Sequence, residues 1–98
     1  MGGGVDNTIN GPEGTVGGGY LNVAGLQATV AGGGNNAASG DEATVGGGVN
    51  NVASGQEATV GGGIGNLASL TDATVGGGSV NQAIGPYSKH SVINNCRC

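Results

Sequence analysis

Residues 45–59, VGGGVNNVASGQEAT, decide the fold, because close copies of this segment recur along the chain. A valine followed by a glycine-rich triplet returns at steps of 14, 15, 15 and 15 residues, at Val16, Val30, Val45, Val60 and Val75. Self-similarity at a fixed period is the signature of a repeat architecture. The single short step indicates a one-residue deletion, which the neighbouring columns place between Asn22 and Gly25.

Each repeat contains two short strand-like halves, here residues 51–55 and 58–62, and both read small, any, apolar, any, glycine. Side chains alternate between the two faces of a strand, so Ala58 and Val60 share one side and Thr59 takes the other. A helix is disfavoured because each glycine costs about 1 kcal/mol relative to alanine. We therefore predict an all-β, parallel β-solenoid of about six 15-residue coils, with glycines at the positive-φ corners.

The interior of each predicted coil is small: one valine, two alanines and one asparagine. The predicted core comprises Val16, Val30, Val45, Val60, Val75, Ala38, Ala53 and Ala68. The asparagine column comprises Asn7, Asn22, Asn36, Asn51, Asn66 and Asn81. Stacked amides favour a ladder in which each asparagine bonds to the next coil. The alternative is that asparagine only tolerates a left-handed turn.

Further apolar columns remain after this interior is filled. They supply a predicted subunit interface of Val5, Tyr20, Val23, Val49, Val52, Ile64 and Leu67. An apolar stripe along a soluble rod usually marks an interface. We expect copies of the chain to associate in parallel and in register, with cyclic symmetry.

Composition excludes several classes of function. The chain has 98 residues, a formal net charge of −4 and only two fixed cations, Lys89 and Arg97, so no basic face is available for nucleic acid. No apolar run reaches the length of a membrane span. The N-terminus lacks the features of a signal peptide. Met1 falls in the valine column, so we expect a piece of a longer repetitive protein, with any export signal outside this chain, or an uncapped first coil.

No catalytic constellation is recognisable, so we expect neither an enzyme nor a cofactor. His90 is the only histidine, and nothing pairs it with a nucleophile and an orienting acid. An acidic column comprises Glu13, Gln27, Glu42, Glu57 and Asp72. These carboxylates have two interpretations, a shared hard cation such as Ca²⁺ or a solubilising stripe. The second is favoured, and no metal site is predicted.

The C-terminal end departs from the repeat. We expect residues 1–85 to form the solenoid and residues 86–98 an irregular cap or tail. An apparent two-residue insertion places Ser91-Val92 17 residues after Thr74-Val75. Cys96 and Cys98 are too close in sequence for an unstrained bond to each other. They therefore form interchain disulfides in an oxidising compartment, or remain free thiols.

Residues 58–62, Ala-Thr-Val-Gly-Gly, and 52–55, Val-Ala-Ser-Gly, resemble the two halves of the head repeats of YadA-like trimeric autotransporter adhesins. The resemblance covers about residues 1–92. It implies a left-handed parallel β-roll, three chains side by side, at a bacterial surface or in a phage fibre. The glycine triplet replaces a more varied corner of that family, and its neck motif is absent.

A second resemblance is to the plant antifreeze β-rolls, whose halves read xxNxVxG. It implies a monomeric roll with a flat ice-binding face, here the column Thr15, Thr29, Thr44, Thr59 and Thr74. That face normally carries two outward small polar residues per strand, and this chain offers one.

The function expected from these observations is a structural and adhesive rod, a fragment of a surface adhesin or viral fibre. It would contact itself and a host surface or extracellular matrix. Ice binding and a self-assembling filament are the alternatives.

Overall fold

A computed structural model describes residues 2–84 and the strand at residues 89–90. In this part of the chain every regular element is a two-residue strand, and there is no helix. The strands are β1 Thr8–Ile9, β2 Thr15–Val16, β3 Val23–Ala24, β4 Thr29–Val30, β5 Ala37–Ala38, β6 Thr44–Val45, β7 Val52–Ala53, β8 Thr59–Val60, β9 Leu67–Ala68, β10 Thr74–Val75, β11 Gln82–Ala83 and β12 Lys89–His90.

The strands form two parallel sheets of six strands each. The odd-numbered strands build one sheet in the order β1-β3-β5-β7-β9-β11, called the Asn sheet because the asparagine column precedes each of its strands. The even-numbered strands build the other in the order β2-β4-β6-β8-β10-β12, called the Thr sheet. Thr44 pairs with Thr59 and Val45 with Val60, a step of 15 residues. The prediction of a parallel β-solenoid is confirmed, with five full turns joining the six strands of each sheet.

Backbone hydrogen bonds hold one coil to the next. Strand N–H groups donate towards the following coil, as from Thr44 to the Ala58 carbonyl at 2.9 Å and from Val52 to the Asn66 carbonyl at 2.8 Å. Because these bonds use no side chain, the same coil can be repeated with different outward residues.

The interior consists of four columns of fully or almost fully buried residues. The valines of the Thr sheet, Val16 to Val75, are all 0% exposed. Alanines preceding and following the strands fill the space opposite them, including Ala38, Ala53 and Ala68 at 0%. Small side chains let the two sheets approach closely, and the shortest extent of the molecule is 12 Å. The interior therefore contains little apolar volume per coil, and backbone and amide hydrogen bonds carry a large share of the cohesion between coils.

The missing residue of the 14-residue coil lies beside a turn. Ile9 pairs with Ala24 at a step of 15, whereas Thr15 pairs with Thr29 at a step of 14. Gly25 directly follows the strand and also accepts the turn bond from Ala28 at 3.2 Å. In the next coil a serine separates the corresponding strand and glycine. The deletion is absorbed where the chain leaves the Asn sheet, so the register of both sheets survives it.

Glycine supplies only some of the left-handed corners, which corrects the sequence prediction. Positive φ also occurs at ten other residues: Asp6, Glu13, Leu21, Gln27, Asn35, Glu42, Asn50, Glu57, Asp72 and Val80. The N–H groups at these corners donate to the preceding coil, as from Glu57 to the Asp41 carbonyl at 2.8 Å. This reversed bond requires the left-handed conformation, and the stacked coils impose it on residues that do not favour it.

The Thr sheet continues into the segment predicted to be irregular. Lys89 pairs with Thr74 and His90 with Val75, at the regular step of 15. The predicted 17-residue step to Ser91-Val92 is therefore wrong, because parallel pairing depends on the backbone and does not require a Thr-Val pair.

Candidate functional site

The asparagine column lies inside the coil, at the entrance to each strand of the Asn sheet. The Asn51 Nδ2 donates to the Gly47 carbonyl of its own coil and to the Gly63 carbonyl of the next, both at 2.8 Å. Its Oδ1 accepts from the Asn66 backbone N–H at 3.0 Å. Each amide therefore connects neighbouring coils through the backbone, and not through another amide.

The same pattern recurs from coil to coil. Asn22, Asn36, Asn51 and Asn66 are 0–1% exposed and each makes all three bonds. Within the described part of the chain, no buried side-chain nitrogen or oxygen lacks a partner. None of the six ladder asparagines has a positive φ; the residue before each one does, or is a glycine at φ 67° in the case of Gly65. The column is thus a hydrogen-bonding element, and its function is not to tolerate a left-handed turn.

The last glycine of each triplet makes this ladder possible. Gly48 has a φ of 88°, and a Cβ there would lie 2.1 Å from the Gly63 carbonyl oxygen and 2.8 Å from the Asn51 Nδ2. Only a residue without a side chain lets the two coils approach closely enough for the amide to bond both. The triplet and the asparagine are one structural unit.

A solvent-exposed apolar column follows the glycine triplets. This apolar edge comprises Val5, Tyr20, Gly34, Val49, Ile64 and Ser79, which pair with one another as parallel bridges. Val5, Tyr20 and Ile64 are 63%, 51% and 57% exposed. Four of the seven predicted interface residues therefore lie together on one edge of the coil.

Tyr20 extends along the apolar edge towards the next coil. A Cβ placed on Gly34 would meet the Tyr20 ring at 2.3 Å, so the ring lies over the space that this glycine leaves. The large and the small residue together keep the edge continuous across the two coils.

The other three predicted interface residues face outward from the Asn sheet. Val23, Val52 and Leu67 occupy the first position of their strands and are half-buried. They follow the apolar edge by three residues in each coil, so the apolar surface turns the corner from the edge onto the face of the sheet.

The carboxylates lie at the opposite end of the flattened coil. There a four-residue turn joins the two sheets, as from Gly55 to Ala58, whose N–H donates to the Gly55 carbonyl at 3.1 Å. The third turn position forms the acidic edge, Glu13, Gln27, Glu42, Glu57 and Asp72. Gln27 Nε2 donates to Glu13 Oε1 at 3.2 Å, which relieves the repulsion at that step. Among the described residues, no group of three or more His, Cys, Asp or Glu side chains is arranged to hold a metal ion.

The threonine column faces outward from the Thr sheet. Thr29, Thr44, Thr59 and Thr74 are half-buried and paired in register. Exposed Ala31, Gly46, Gly61 and Gly76 follow two residues later. The face is flat and presents one hydroxyl per coil.

The sequence analysis missed a second exposed column beside the apolar edge. This left-handed column comprises Asp6, Leu21, Asn35, Asn50, Gly65 and Val80, with φ between 54° and 67°. Its content of Asp, Asn and Gly is typical of left-handed positions and was the available signal. Leu21 and Val80 depart from that preference and are 50% and 64% exposed. Cys96 and Cys98, predicted to form interchain disulfides, lie outside the described residues.

Comparison with protein-family models, with curated proteins and with solved structures finds no match. Among the residues the structure describes, no helix has the length and apolarity that crossing a membrane requires. The functional argument therefore depends on the surfaces of the solenoid.

Proposed function

We propose that this chain is one strand of a structural and adhesive rod, in which three copies pack side by side along their apolar edges. It acts through assembly and surface binding and carries out no catalysis. The finer form of the proposal is a left-handed β-roll of the YadA-like head type, at a cell surface or in a virion fibre. A host surface or extracellular matrix is its proposed target.

The observation that carries the proposal is the exposed apolar edge of a coil whose own interior is already full. Val5, Tyr20 and Ile64 are each more than half exposed, although the interior valines are completely buried. Burying apolar surface stabilises an assembly by about 25 cal/mol per Å². A solvated edge of this kind on every second or third coil gains nothing for an isolated monomer.

A second copy of the same chain is the partner that fits this edge. The backbone bonds fix a rise of about 4.8 Å per coil, and a copy with the same rise repeats each contact at each level. Charge also favours this orientation. Of the six carboxylate residues, only Asp6 adjoins the apolar edge, whereas Glu13, Glu42, Glu57 and Asp72 lie on the acidic edge at the far end of the coil. Packing through the apolar edges keeps these like charges apart.

The test is the oligomeric state by sedimentation, with a reducing agent present. We expect a trimer for the unchanged chain and dissociation for Ile64→Glu, which places a charge in the apolar edge. Gln56→Glu is the matched control, because it adds the same charge at an exposed turn position and should leave the trimer intact. A monomer for the unchanged chain would refute the proposal, and large polymers would favour the filament.

Ice binding is the second candidate, and the in-register threonines of the Thr sheet are the observation that favours it. Thermal hysteresis in the unchanged chain, abolished by Thr44→Tyr with the fold intact by circular dichroism, would support this function. We expect no hysteresis, because the position two residues after each threonine carries no hydroxyl.

A further inference from the structure

Leu21 and Val80 combine two unfavourable features. Each has a left-handed backbone, with φ of 54° and 55°, and each exposes at least half of its apolar side chain. The left-handed region is unfavourable for residues with a Cβ, and β-branched valine is a genuine outlier there. In an isolated solenoid, neither the backbone nor the solvation of these side chains is satisfied.

Other coils show how the same position is filled without these penalties. Asp6, Asn35, Asn50 and Gly65 occupy it with the residue types that tolerate positive φ. The Asn35 Nδ2 also donates to the Asn50 Oδ1 at 2.7 Å, so polar residues at this position can bond along the column. The fold therefore accepts asparagine at this position, and Leu21 and Val80 are not required for the coil to form.

We infer that Leu21 and Val80 are contact residues for a second copy of this chain, and that the interface extends from the apolar edge onto the left-handed column. This inference rests on the proposed function. The position supports it: each residue directly follows a member of the apolar edge, Tyr20 and Ser79 respectively. Leu21 thus adds to the largest apolar side chain of that edge, and Val80 supplies an apolar contact at the level where the edge itself has only a serine.

Substitution by asparagine tests the inference, because a strained monomer and a buried contact respond in opposite directions. Leu21→Asn and Val80→Asn relieve the backbone strain and remove the apolar contact. Glu57→Asn is the matched control: it relieves the same kind of strain, at φ 58°, but lies on the acidic edge. Sedimentation equilibrium over a concentration series gives the association constant, and thermal melts at the same concentrations give the stability.

We expect Leu21→Asn and Val80→Asn each to weaken association about tenfold or more, which corresponds to about 1.4 kcal/mol, and to lower the melting temperature of the assembled protein. Glu57→Asn should raise the melting temperature and leave association unchanged. The inference is overturned if Leu21→Asn and Val80→Asn raise the melting temperature as the control does while association stays as in the unchanged chain. If the unchanged chain is itself a monomer, the proposed function fails, and this inference fails with it.

Discussion

Replacing Asn51 by aspartate exchanges an amide nitrogen for an oxygen of similar size, at a site where that nitrogen donates two hydrogen bonds. In the native coil the Asn51 Nδ2 donates to the Gly47 and Gly63 carbonyls, both at 2.8 Å, and the residue is 0% exposed. After Asn51→Asp, an oxygen faces two carbonyl oxygens. The Asn66 N–H keeps its acceptor, so the change isolates the two donated bonds.

The expected loss follows from the two carbonyls left without a donor. A buried polar group without its partner costs about 1–3 kcal/mol, so the pair costs about 2–6 kcal/mol before any charge is buried. A domain of this size loses about 4–8 °C in melting temperature per kcal/mol. We therefore expect Asn51→Asp to lower the melting temperature by at least about 10 °C, measured by circular dichroism.

The pH dependence provides an independent check. Burial disfavours the charged form, so the pKa of the introduced carboxyl should rise in the folded state above its unfolded value of about 3.9. The folded state then binds more protons, so the variant is most stable below that value and loses stability as pH rises through the folded pKa. The melting-temperature difference from the unchanged chain should accordingly grow between about pH 4 and pH 7.

Asn50→Asp is the matched control in the adjacent residue. Asn50 is exposed and its Oδ1 accepts from the Asn35 Nδ2, a bond that a carboxylate oxygen also accepts. This variant carries the same change in charge and should melt close to the unchanged chain. If the two variants melt within about 3 °C of each other, which corresponds to less than about 1 kcal/mol, the ladder does not hold the coils together as argued.

Three further outcomes are expected. Gly33→Ala should prevent folding, because φ is 92° and a Cβ would lie 2.2 Å from the next coil's carbonyl oxygen, whereas Gly32→Ala in the same triplet meets no atom within 4 Å and should fold, as circular dichroism will show. Val60→Ala should cost about 2 kcal/mol in urea unfolding, because the valine is completely buried and its neighbours are too small to fill the cavity; a loss below about 0.5 kcal/mol would mean that the sheets close over the cavity. Inserting serine between Ala24 and Gly25 restores the 15-residue coil and should leave the melting temperature equal or higher, whereas a large decrease would show that the deletion is not located at this turn.

Much of the fold follows from the repeat period, but the handling of the corners does not. Each strand contributes only two residues, so local β-propensity is a weak signal, and the 15-residue step of Val45, Val60 and Val75 carried the prediction. The acidic column was recognised as a column, yet its left-handed backbone was not expected, because glutamate and aspartate do not favour positive φ. The reversed hydrogen bond to the preceding coil imposes that conformation, and a bond between coils is invisible in one repeat.

The apolar edge shows the same division. The sequence identified Val5, Tyr20, Val49 and Ile64 as surplus to a small interior, since counting apolar columns against available volume needs no coordinates. Leu21 and Val80 were missed because their significance depends on a backbone angle and on an exposed fraction, both of which are set by the stacked coils.

The sequence by itself determined the period, the solenoid and the identity of the buried columns, because in a repeat protein one local pattern is copied at fixed spacing and stacking is the only way to bury it. The tertiary structure alone decided how coils bond and which surface remains uncovered. The asparagine amide bonds backbone carbonyls on two coils because the last glycine of the triplet permits that approach. The apolar and acidic edges lie at opposite ends of the coil because the two sheets separate the corners from which they project.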